Sequence, residues 1–133
     1  MIILHCRDSA VSRTMVGLVG DWIPSGHTAA AIFQEESGSE ENGLYIVIGS
    51  ARFHWRLNEV TVLLIREDLI RISVPAGMFL DGSELECIEF HLEIARGRYD
   101  AIRATLERIM IDAGAKLNQA AEPGATDNPD NAE

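Results

Sequence analysis

The sequence predicts an α+β domain, a largely antiparallel sheet of about six to seven strands packed by one C-terminal helix. Short apolar runs, several of them alternating with period two, recur from Ile2 to Glu93. Clusters of glycine, proline, asparagine and aspartate separate those runs, as turns require. One long segment of 3.6-residue periodicity follows, from about Arg98 to Leu117. A chain of 133 residues with 47% apolar content fits a single domain that buries a core without disulfides or metals.

Each element has its own signal. Ile2 to Cys6 and Thr14 to Val19 are strand-like, and Asp21 to Gly26 reads as a loop around Pro24. Thr28 to Gln34 is read as a strand. Its alanines suit a helix, but the run is short and ends without a cap. Glu35 to Gly43 (EESGSEENG) is an acidic loop closed by Asn42-Gly43, a turn pair. Leu44 to Ser50 and Glu59 to Ile65 are further strands. Arg66-Glu67-Asp68 is a hairpin turn, and Leu69 to Val74 returns from it. Glu86 to Glu93 places Ile88, Phe90 and Leu92 on one face and Cys87, Glu89, His91 and Glu93 on the other, the mark of a sheet with one solvated side. On the helix, Tyr99, Ile102, Leu106, Ile109 and Ala113 form one apolar stripe.

The predicted domain covers residues 1–118. Residues 119–133 (QAAEPGATDNPDNAE) contain no large apolar side chain and are expected to be a disordered acidic tail, because they cannot offset their ordering entropy by burial.

The net charge of −10 disfavours nucleic acid and favours partners with a basic face. No apolar stretch approaches a membrane span, and the apolar start at Met1 is too short for a signal peptide and lacks a basic leader. A cytoplasmic protein is expected, with Cys6 and Cys87 as free thiols.

Catalytic and metal chemistry find little support. His5, His27, His54 and His91 read as isolated residues. Cys87 and His91 share a strand face but lie about 13 Å apart, too far to hold one zinc ion. There is no GxSxG elbow and no GxGxxG loop. The reading is a non-enzyme without cofactor or metal. Two features suggest recognition instead. Glu35, Glu36, Glu40 and Glu41 crowd one loop and are expected to clamp basic residues. Phe53-His54-Trp55-Arg56 places three rings in succession on an extended chain, so at least one should reach the surface. Phe53, Trp55 and Arg56 are the residue types of binding hot spots.

The chain resembles the immunity proteins of bacterial polymorphic-toxin systems, closest to the family called immunity protein ten, over roughly residues 14–111. Met15-Val16-Gly17-Leu18-Val19-Gly20-Asp21 is similar to that family's early strand. Asn42-Gly43-Leu44-Tyr45-Ile46-Val47 is similar to its central aromatic strand. Leu57-Asn58-Glu59-Val60-Thr61-Val62 with Leu69-Ile70-Arg71-Ile72 looks like its hairpin. Ile88-Glu89-Phe90, Tyr99 and Leu106-Glu107-Arg108-Ile109 resemble its last strand and helix. Phe53-His54-Trp55-Arg56 departs from the Gly-Tyr-Gly-Gly type turn that the family tends to have before the hairpin. The resemblance implies a small protein that binds and neutralises one toxin domain. The alternative is a small cytoplasmic binding or assembly module unrelated to toxins; self-association is compatible with either reading.

Overall fold

The computed structural model of the chain describes residues 2–23, 25–35 and 43–119. Its strands are β1 (Ile2–Val11), β2 (Met15–Trp22), β3 (His27–Gln34), β4 (Leu44–Ile48), β5 (Ala51–Trp55), β6 (Thr61–Arg66), β7 (Leu69–Ser73), β8 (Phe79–Leu80), β9 (Ser83–Glu84), β10 (Cys87–Leu92) and β11 (Lys116–Gln119). A single turn of 3-10 helix, Leu57–Glu59, precedes β6, and α1 spans Gly97–Asp112.

The α+β class holds, but the sheet is larger and more mixed than its sequence suggests. It has nine strands in the order β11-β6-β7-β10-β1-β2-β3-β4-β5, while β8 and β9 form a separate small hairpin. β1 runs parallel to β10, and β11 runs parallel to β6; the other pairs are antiparallel. Both parallel pairs join segments far apart in the chain, where local periodicity carries no pairing information.

Alternation explains which face is buried. Leu4 and Cys6 of β1, Val16 and Leu18 of β2, Ala29, Ala31 and Phe33 of β3, Leu44, Ile46 and Ile48 of β4, and Ile88, Phe90 and Leu92 of β10 all lie in one core cluster. Ile102, Leu106, Ile109 and Met110 of α1 join it, so the helix closes that face of the sheet. The expected helix stripe is therefore correct and gains Met110.

The helix ends earlier than its pattern implies. Gly114 has φ +68°, and the Ala115 N–H donates to the Met110 carbonyl at 2.9 Å, the closing bond of a left-handed C-terminal cap. The following residues are then extended, and Lys116 to Gln119 pair with Thr61 to Leu64. Gln119, assigned above to the tail, is the last residue of that strand. Residues 120–133 lie outside the described residues.

One glycine is dictated by packing. β1 carries a bulge between Cys6 and Asp8, and Gly20 pairs with Cys6 beside it. A Cβ at Gly20 would stand 1.8 Å from the His5 carbonyl oxygen. Neither backbone can yield without opening the β1–β2 ladder. Gly20→Ala is expected to cost at least about 1–3 kcal/mol by overpacking, and Leu106→Ala, fully buried in the parent chain, about 2–5 kcal/mol. Urea denaturation of the two variants measures both losses.

Candidate functional site

The predicted recognition residues fall in different places. Glu36, Glu40 and Glu41 lie outside the described residues. Glu35 follows β3; its backbone N–H donates to the Thr14 carbonyl at 2.8 Å, and its carboxylate pairs with Arg108 of α1 at 3.9 Å. Glu35 thus ties the sheet to the helix.

On β5 the alternation decides. Phe53 and Trp55 point into the core and are 7% and 3% exposed, with their rings stacked at 5.8 Å. Phe53 and Trp55 are therefore core residues, which corrects their assignment to a binding surface. The ring that reaches the surface is His54, stacked on Tyr45 of β4 at 4.2 Å. Trp55 Nε1 is buried with no hydrogen-bond partner among the described residues, a cost its aromatic packing must outweigh. Arg56 is exposed, and its backbone N–H donates to the Glu59 carboxylate at 2.7 Å.

Sequence reasoning missed a cluster on the sheet face opposite the helix. The parallel register sets His5 of β1 directly beside His91 of β10, with ring centroids 5.5 Å apart. Each imidazole contacts a carboxylate: His5 Nδ1 lies 2.6 Å from Glu93, and His91 Nε2 lies 3.0 Å from Glu89. Arg71 of β7 completes the ladder, donating to Glu89 from Nε at 2.9 Å and from Nη2 at 2.6 Å. Burial of Glu89 opposes its charged form, but the hydrogen bonds from His91 and Arg71 and the Arg71 charge outweigh it and hold the carboxyl below its ordinary value. The strand alternation placed His91 on the solvated face; only the β1–β10 pairing brings His5 beside it. Among the described residues, no group of three or more His, Cys, Asp or Glu is arranged to hold a metal ion.

Cys6 lacks the environment of a nucleophile. Burial, aided by the Glu93 charge, pushes the Cys6 thiol up to about 12, so it stays protonated. Cys87 Sγ lies 3.7 Å from the Ser73 hydroxyl on the solvated face.

A cleft of about 490 Å³ lies where the start of β1 and the end of β2 meet the β8–β9 hairpin. Apolar groups, Trp22, Ile2, Leu80 and Leu85, form part of its wall. Asp81, Glu84 and Glu86 also line it, and all three are exposed. The hairpin holds this shape through Asp81-Gly82, both with positive φ as its tight turn requires, and through Glu84, which accepts the Gly77 N–H at 2.9 Å. An aromatic wall beside several carboxylates is suited to a cationic side chain.

No family model, curated protein or solved structure matches this chain.

Two measurements check these placements. Trp55→Ala is expected to lose about 3–5 kcal/mol of stability as a core truncation, read from urea denaturation. For Glu89 the folded carboxyl titrates below the unfolded one. Its ionised form therefore adds stability above the unfolded value, and that stability is lost as pH falls through the folded value. The stability gap between the parent chain and Glu89→Gln should accordingly shrink on acidification from neutral pH, measured by urea melts across the carboxylate range.

Proposed function

We propose that this chain is an immunity protein that neutralises a bacterial toxin domain by binding it, without catalysis, in the cytoplasm. The observation that carries the reading is the acid-lined cleft with Trp22 in its wall, set in a chain of net charge −10. A toxin domain with a basic face, such as one that must hold phosphates, would place Arg or Lys side chains in that cleft. Charge would speed their encounter, and contact with the indole would slow their release. The resemblance of residues 14–111 to immunity proteins supports the same class. No helix among the described residues is long and apolar enough to cross a membrane.

The test is neutralisation. The product of the gene adjacent to this chain's own is expressed in a bacterial host, alone and together with the chain. Growth arrest that the chain relieves is expected; an adjacent product that is harmless, or arrest that the chain leaves untouched, overturns the proposal. The combined variant Asp81→Asn, Glu84→Gln, Glu86→Gln should slow association with that product several-fold at low salt and little at high salt, while its melting curve stays close to that of the parent.

A further inference from the structure

On the face opposite the helix, the registers of β1 to β5 define two rows of side chains. One runs Ala10, Gly17, Ile32, Tyr45, His54, and the other Asp8, Val19, Ala30, Val47, Arg52. The middle of both rows is apolar, yet Val19 is 51% and Ile32 37% exposed. At the two ends of the second row stand opposite charges, Asp8 on β1 and Arg52 on β5. Four strand spacings separate them, roughly 19 Å. Neither takes part in an ion pair among the described residues.

The strip also has relief. Around Gly17 lies a hollow of about 240 Å³, bordered by Ala10, Met15, Val19 and Ile32. A Cβ at Gly17 would make ordinary van der Waals contact with Ala10 and Met15, at 3.8 Å and beyond, so the position accepts a side chain without a clash. Two strands away, the Tyr45 ring stands on the same face, braced by its stack on His54.

We propose that a second copy of this chain covers the strip, in a twofold dimer that lays β1 of one protomer over β5 of its partner. Two twofold arrangements bring the faces together. An axis across the strands sets β1 over β1 and opposes Asp8 to Asp8. An axis along β3 sets β1 over β5, so that each Asp8 meets an Arg52, each Gly17 hollow receives a Tyr45 ring, and Ile32 meets Ile32 on the axis. Charge and size both select the second, which is an aligned packing of two sheets. The dimer is expected to dissociate on dilution through the micromolar range. None of its residues lines the acidic cleft, and the inference stands apart from the proposed function.

Sedimentation equilibrium of the full chain tests it. A monomer–dimer equilibrium is expected, weakened about tenfold or more by Gly17→Val, which fills the hollow in a position that accepts a side chain. Asp8→Arg and Arg52→Asp should each weaken the dimer, and the two together should restore it. In a Cys87→Ser background, Asp8→Cys combined with Arg52→Cys should give a covalent dimer on oxidation, because within one protomer the two positions are too far apart to bridge. Circular dichroism melts confirm that each variant is folded. A chain monomeric at all concentrations, a dimer indifferent to Gly17→Val, or cross-linking by Asp8→Cys alone overturns the inference. If neutralisation persists in that event, only the dimer is lost.

Discussion

The parallel pairing of β1 with β10 holds the two halves of this molecule together. On one side of it lies the meander β1 to β5, and on the other the group β11, β6, β7 and β10. The Glu93 N–H continues the ladder to the Cys6 carbonyl at 2.7 Å. The helix is fastened to both partners: Arg98 donates to the Ser9 carbonyl of β1 at 2.9 Å, and the Tyr99 hydroxyl to the Leu92 carbonyl of β10 at 3.3 Å. Phe33 of the meander meets Phe90 of β10 edge to face, so the core is continuous across the seam. The bulge in β1 and the bare Cα of Gly20 are local adjustments that let β1 be hydrogen-bonded on both sides.

How much of this was legible depends on how local each cause is. The alternation of β10 and β4 and the stripe of α1 could be read directly, because a residue's own neighbours decide its face. The turn at Glu67-Asp68 was legible for the same reason. The helix was overrun because Ala113 and Leu117 fit the apolar repeat, and only the cap at Gly114 breaks it. β5 was obscured by three consecutive rings. A strand sorts them alternately, so Phe53 and Trp55 go in and His54 out, but their composition alone suggested a sticky surface. The β1–β10 pairing could not be read, since nothing in either segment names the other. The His5–His91 ladder was hidden with it.

The two faces of the sheet do different physical work. One is filled by side chains and closed by the helix. The other carries charge pairs over β7, β10 and β1 and bare apolar side chains over β1 to β4. The charge pairs keep nearly buried Glu89 ionised at modest cost, because Arg71 and His91 approach it from adjacent positions on the pleat. Among the described residues, no comparable polar partners stand over Val19 and Ile32. The proposed second copy would cover these two side chains, which the antiparallel meander leaves exposed.

The seam between β1 and β10 also governs the order in which the chain can fold as it is made. The meander from β1 to β5 pairs strand to neighbouring strand, so its contacts are local in the chain and can form first. Its first strand then waits with one edge bare until the segment ending at Leu92 has been synthesised. A bare, largely apolar edge is the kind that recruits strands from other chains. Completion of this sheet is therefore a late, non-local closure, and the rate of translation through the intervening residues sets how long a nascent molecule stays open to mispairing.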